Sequence, residues 1–329
     1  MASAESDSTK SNPLGSTPFI EDPSYPKDIQ YIAERINNRQ CILFLGSAIH
    51  APAPEGSKYD YPSSKCPPIG SQLSKQLAGQ CDYPGEDWWN LQRVAWFFER
   101  KNVFRSMLVD EIKEAVHTGR CPSPVLRGLA SIGFPIVITT NYDQLYEQAL
   151  DLAAQEKALA AGKSADEAKK VTANYDKCVY SQSSNVRTKD CMVEPSVERP
   201  YLLKIHGDVD HPESIVVTDE DYIQFVLRMG DKHPYHPVGK NVLTHLIKWP
   251  TLFIGYRLSD YNLRLLFKTL RWKMDAAQIP PTYAVDRDPD VLIRDVWEKE
   301  RRYIRFIEKN LWNFVPDLYQ AVTGKEMPL

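Results

Sequence analysis

No Cys-x2-Cys pair occurs in the chain, whose six cysteines stand alone at positions 41, 66, 81, 121, 178 and 191. Structural zinc sites use close-set ligand pairs, so none is expected, and cysteines this scattered form no disulfide framework. They read as reduced thiols of a cytoplasmic protein. Long apolar runs are missing too, none approaching the roughly 18 residues that span a bilayer. No charged segment followed by an apolar one opens the chain, so no secretory leader is expected. Charge of one sign is not in excess: 40 Lys and Arg against 43 Asp and Glu leave a net charge of -3. Without a basic footprint, direct nucleic-acid binding is not expected. A complete Gly-x-Gly-x-x-Gly fingerprint and internal repeats are also absent.

What is present is an ordinary globular composition, 43% hydrophobic and 25% charged over 329 residues, with 7 Trp and 17 Tyr. The aromatics suit a filled core and an oligomer surface. Residues 1–25, rich in Ser, Pro and acidic side chains, read as a flexible N-terminal arm. Residues 26–329 read as one domain, with a helical and loop excursion at about 151–200.

Within that domain, Ile29, Ile32 and Ile36 recur at helical spacing and lead into a first strand at Cys41–Leu45. The proline-rich segment 51–68 reads as an active-site loop. One helix is expected at 70–79 and a second helical stretch from Glu86 to Val116. The run Phe134–Ile138 reads as a buried strand, followed by a helix over 142–161. Ser164 and Glu167 form a capping box. Residues 176–200 are polar and aperiodic and belong to the excursion. Tyr201–Ile205 is a short apolar run followed by His206 and Gly207, and Ile215-Val216-Val217 precedes a helix at about 219–229. A helix at 238–248, a strand at 251–256, a helix capped by Ser259-Asp260, a strand at 282–285, a helix at 289–300, a strand at 303–307 and a helix at 311–322 complete the chain. This alternation implies a Rossmann-like, three-layer α/β fold with a central parallel sheet.

Two motifs carry the chemistry, Thr139-Thr140-Asn141-Tyr142-Asp143 and Lys204-Ile205-His206-Gly207-Asp208. Both follow apolar runs, and open parallel sheets place their sites at the carboxyl ends of strands. Asn141 and Asp143 could equally cap the following helix, and a His beside a Gly at a strand end could be a solvated residue. Gly46-Ser47-Ala48 suits either a phosphate loop or a tight turn. Gly255 and Ser259 form a second strand-to-helix junction.

In order, the four junctions Phe44–Ala48, Thr139–Asp143, Lys204–Asp208 and Phe253–Asp260 resemble the sirtuin-like NAD-binding family, in particular its bacterial branch of NAD-consuming antiphage defence proteins. Ile215–Thr218 with Tyr222 fits that branch as well, and the likeness runs from about residue 30 to 320. It implies NAD as the substrate and a catalytic pair, Asn141 holding the nicotinamide ribose or attacking water and His206 serving as general base or ribose-hydroxyl partner. Asp143 would place the nicotinamide amide. Gly46, Ser47 and Ala48 would meet the phosphates, with His50 at the end of that loop, and Gly255 and Ser259 would lie near the phosphates or the adenosine ribose. The chemistry agrees: nicotinamide leaves as a ready cationic leaving group through an oxocarbenium-like state, so orientation and one proton acceptor near neutrality suffice.

Two departures from the family stand out. Its phosphate loop usually reads Gly-Ala-Gly-x-Ser, whereas here Ala48 replaces the second Gly and His50 the Ser. This predicts weak NAD binding or binding after a conformational change. The cysteine quartet of the deacylating members is missing, which implies no zinc module and no metal, and favours hydrolysis over deacylation. The expected activity is that of an NAD+ glycohydrolase acting in antiviral defence by NAD depletion, as a homo-oligomer or with a separate sensor or ATPase subunit. The alternative is a catalytically silent subunit that binds NAD, ADP-ribose or another nucleotide.

Overall fold

The strands are β1 (Ile42–Leu45), β2 (Ile136–Thr139), β3 (Asp176–Val179), β4 (Tyr201–Lys204), β5 (Thr251–Ile254), β6 (Thr282–Val285) and β7 (Ile304–Ile307). In the computed structural model, which describes residues 24–102, 104–256, 258, 280–299 and 304–329, they form one all-parallel sheet in the order β3-β4-β2-β1-β5-β6-β7. The expected arm lies outside the described residues up to position 23, as do Ser259 and the helix expected after it.

β1, β2, β4, β5 and β6 are buried throughout, as expected of parallel strands covered on both faces. Alternate residues serve the two layers. Leu43, Leu45, Val137 and Leu202 pack with α1 (Tyr25–Asn37), α5 (Pro124–Ile132), α6 (Leu145–Ala160) and α11 (Leu311–Thr323). Ile42, Phe44, Ile138 and Leu203 pack with α8 (Asp219–Arg228), α9 (Lys240–Lys248) and Trp297 of α10 (Val291–Lys299). The chain leaves β1 toward β2 on one side and returns with β5 on the other. The carboxyl ends of β1 and β5 therefore flank a topological switch point, where open sheets hold ligands.

Two expectations need correction. Segment 176–200 is not wholly an excursion, because β3 forms the sheet edge and pairs with β4. Its burial alternates as Asp176, Lys177, Cys178, Val179, so no apolar run announced it. The helical stretch from Glu86 is two helices, α3 (Leu91–Asn102) and α4 (Arg105–Val116), divided at Phe104, whose backbone is extended. With α2 (Gly70–Gln80) they enclose a separate apolar cluster that also takes in Tyr142, Val209 and Val217. Ile215–Val217 is buried but lies outside the sheet. The capping box at Ser164 and Glu167 is present and opens α7 (Ala165–Ala168).

Candidate functional site

Gly46 ends β1 and starts a single 3-10 turn, Ser47–His50. The Gly46 N–H donates to the Ile254 carbonyl at 3.0 Å and the Ala48 N–H to the Gly255 carbonyl at 2.9 Å. A Cβ on Gly46 would lie 2.4 Å from the Gly255 oxygen, and one on Gly255, whose φ is +72°, would lie 2.3 Å from the Ile49 nitrogen. The freedom of these glycines is thus used first to bring two protein backbones together. The Ala48 amide already has a protein acceptor.

From β2, Thr139 Oγ1 donates to the Leu45 carbonyl at 3.1 Å and accepts from the Asn141 N–H at 3.0 Å, which fastens the second motif to the first. Asn141 Nδ2 lies 3.4 Å from the Gly46 oxygen and 3.3 Å from His50 Nε2. The same His50 nitrogen lies 3.2 Å from Asp143 Oδ2, and Asp143 Oδ1 accepts from the Leu145 N–H at 2.8 Å, which starts α6 three residues later than expected. His50 and Asp143 are 2% and 6% exposed. Burial pushes the Asp143 carboxyl up, but His50 beside it and the nearby Lys204 hold it below the usual carboxylate range. Two buried polar atoms of the group, His50 Nδ1 and Asn141 Oδ1, have no hydrogen-bond partner in the protein among the described residues.

β4 lies beside β2 with Thr139 opposite Lys204, so Asn141 and His206 follow neighbouring strand ends. His206 is buried, and its ring stands edge-on to Tyr222 and Phe225, each with centroids at 5.3 Å. Its carbonyl accepts from the Val216 N–H at 3.0 Å. Gly207, at φ +92°, turns the chain so tightly that a Cβ would lie 2.3 Å from the Ser214 oxygen.

The two ends of the second motif, Lys204 and Asp208, form a buried charge cluster for which no role was expected. Lys204, wholly buried, lies 3.0 Å from Asp208 Oδ2 and 3.4 Å from Glu147 Oε1. It also donates to the carbonyls of Tyr142 and Asp143. Lys177 of β3 reaches Asp208 at 3.1 Å. Burial would raise the Asp208 carboxyl, yet Lys204, the Asp210 N–H and Lys177 bring it down to about 2. The signal lay in the sequence as a lysine inside an apolar strand with an aspartate four residues on.

The structure thus gathers Gly46, Ser47, Ala48, His50, Asn141, Asp143 and Gly255 at one end of the sheet and sets His206 on the adjoining strand end. Ser259 lies outside the described residues. Among those residues no three His, Cys, Asp or Glu side chains are grouped as metal ligands, and no helix is long and apolar enough to cross a membrane. The Asn141–His50 end, with its two unpaired polar atoms, fits a polar ligand. The Gly46–Gly255 contact is closed by protein.

Comparison with known proteins agrees with this architecture. The model of the SIR2-like domain matches residues 135–310, more than half of the chain, which therefore belongs to the SIR2-like family. The chain is similar to the NAD(+) hydrolase ThsA of Acinetobacter baumannii (strain 532279), 25% identical over 243 residues that cover 74% of this chain and 42% of the relative. It is 24% identical to the NAD(+) hydrolase ThsA of Enterococcus faecium over 196 residues, 58% of this chain and 34% of the relative. Defense-associated sirtuin 2 of Bacillus subtilis is 22% identical over 268 residues, 79% of this chain and 22% of the relative. The chain thus spans less than half the length of each of these relatives.

Proposed function

We propose that this chain hydrolyses NAD to nicotinamide and ADP-ribose. The observation that carries the reading is the Asn141 amide, held beside the phosphate-loop position by Thr139 and Gly46 with its oxygen buried and without a hydrogen-bond partner in the protein among the described residues. Three relatives bearing the name NAD(+) hydrolase support it. In this reading Asn141 orients the ribose or the attacking water, and His206 accepts a proton or holds a ribose hydroxyl. Asp143 lies toward the nicotinamide, and Gly46, Ser47, Ala48, Gly255 and Ser259 lie toward the phosphates and the adenosine ribose. The amide and imidazole supply orientation and a proton acceptor, which this cleavage requires.

The cellular role that follows is defence against viruses by NAD depletion, with activity held low until a trigger arrives through oligomerisation or a sensor or ATPase subunit. A second reading has one observation in its favour. The Ala48 amide, which a phosphate loop would offer to the ligand, is already bonded to Gly255. A chain of that kind would bind NAD or ADP-ribose without cleaving it.

The test is chromatographic detection of nicotinamide and ADP-ribose from NAD, with the protein alone and with whatever subunit co-purifies. Wild-type turnover that falls at least about 100-fold in both Asn141→Ala and His206→Ala is the expected result. NAD binding without turnover, with the subunit present, would select the second reading.

A further inference from the structure

Asn141 and His206 follow different strands, β2 and β4, so their mutual placement depends on what joins the two loops. One side chain spans them. Lys204 is the last residue of β4, two positions before His206, and its side chain is wholly buried. Its Nζ donates to the Tyr142 carbonyl at 3.3 Å and to the Asp143 carbonyl, the two peptide oxygens that come next after Asn141. A second path runs alongside. The Val209 N–H donates to the same Tyr142 carbonyl at 3.0 Å, the Tyr142 hydroxyl donates to the Val216 carbonyl at 2.8 Å, and the Val216 N–H donates to the His206 carbonyl at 3.0 Å. The loop that presents the amide is thus fastened, through Tyr142 and Asp143, to the segment that presents the imidazole.

A buried lysine could serve only to balance the acids beside it, Asp208 at 3.0 Å and Glu147 at 3.4 Å. Two features go beyond that. Lys177 of β3 already reaches the same acids, at 3.1 Å and 3.7 Å, from a side chain that is 26% exposed and keeps contact with water. A second partner with no access to water is the costlier way to pair them, because its amine must be wholly desolvated. Of the two lysines, moreover, only Lys204 donates to the Tyr142 and Asp143 carbonyls among the described residues. The remaining positions of β4 are Tyr201, Leu202 and Leu203, so an apolar residue at 204 would have met the needs of the strand.

Within the hydrolase reading, on which this rests, we propose that Lys204 is a positioning residue: it sets the Asn141 amide against the His206 imidazole by holding the Tyr142 and Asp143 carbonyls, with Asp208 keeping its amine in place. Lys204 acts through the backbone and not on the substrate. Displacing an orienting group by about 1 Å costs on the order of 100-fold in rate. The groups read as phosphate contacts follow β1 and β5 and keep their places. The loss therefore falls on kcat and spares NAD affinity.

The experiment follows nicotinamide release, NAD affinity by calorimetry and folding by circular dichroism, each with the co-purifying subunit present. It compares the full chain with Lys204→Met, Lys204→Met/Glu147→Gln, Glu147→Gln and Lys177→Met. The double variant removes one partner of each sign and leaves Asp208 paired with Lys177, so it avoids a stranded buried charge and is expected to fold. Both Lys204 forms are expected to lose about 100-fold in kcat, with NAD affinity close to that of the wild type. Glu147→Gln and Lys177→Met are expected to stay near wild-type turnover. Amide hydrogen exchange gives a readout that a purely structural part would not move: it quickens at residues 141–145 in the double variant while β1 and β5 keep their protection. Exchange rising equally across the sheet overturns the proposal. Wild-type kcat in a folded Lys204 form does so too and leaves the hydrolase standing. An equal loss in Lys177→Met, or failure of both Lys204 forms to fold, assigns the lysine to stability alone and likewise overturns it. No nicotinamide from the wild type removes the hydrolase reading and this one with it.

Discussion

At the scale of single residues, two glycines show how far a local signal reaches. Gly46 and Gly255 were legible as small residues ending apolar strands, which suggested room for a phosphate. Neither position could reveal that the other glycine stands opposite. With φ at +72° and the Ile49 nitrogen 2.3 Å from any Cβ, Gly255→Ala adds a left-handed penalty of about 1–2 kcal/mol to a backbone collision. The expected loss is about 3 kcal/mol or more in urea denaturation. Gly56→Ala is the control: its φ is +77° but nothing lies within 4 Å of its Cβ, so only the conformational share of about 1 kcal/mol is expected. Equal losses at the two sites would mean that the Gly46–Gly255 contact does not hold the junction together.

At the scale of elements, the helix that supports the site is α5, and its cap does two jobs. Ser123 Oγ accepts from the Leu126 N–H at 3.1 Å and donates to the Ile49 carbonyl at 3.3 Å, tying the helix to the turn that carries His50. Ser123→Ala is expected to cost about 1–2 kcal/mol, the upper part of the range for a lost N-cap, and to lower NAD turnover as the turn loosens. A loss of stability with wild-type turnover would show that the turn holds its shape without this tie. The elements themselves were mostly readable. Interior strands announced themselves as short apolar runs and helices through a period near 3.6. The failures were β3, whose solvent-side positions break the run, and the α3–α4 boundary, where Phe104 is exposed and no Gly or Pro marks the break.

At the scale of the molecule, the Lys204–Asp208–Glu147–Lys177 cluster ties the second motif to β3 and α6. It sets a pH dependence for folding. The Asp208 carboxyl is held at about 2 in the folded chain, below the roughly 3.9 of an unfolded aspartate. A depressed folded value stabilises above the unfolded one, so this contribution, on the order of 2 kcal/mol, is present above about pH 4 and lost as pH falls toward 2. Glu147, raised by burial against the pull of Lys204, acts in the opposite sense at higher pH, where stability rises as pH falls toward the ordinary carboxylate range, and it leaves the Asp208 slope below about pH 4 unchanged. Denaturant midpoints measured from pH 5 to pH 2 should fall for the wild type and fall less for Asp208→Asn. Parallel curves for the two proteins would show that Asp208 does not carry the acid sensitivity.

By itself the sequence determined the alternating α/β plan, the parallel sheet and the strand ends bearing Asn141 and His206. Each of these is written in residues a few positions apart: burial period, chain-breaking residues, polar groups just past an apolar run. Only the tertiary structure decided that His50 meets Asp143 across 93 residues of chain, that Gly46 faces Gly255, and that Lys204 pins the Asn141 loop. Those contacts depend on strand order and register, which arise from packing the whole sheet and leave no local mark at the residues that meet.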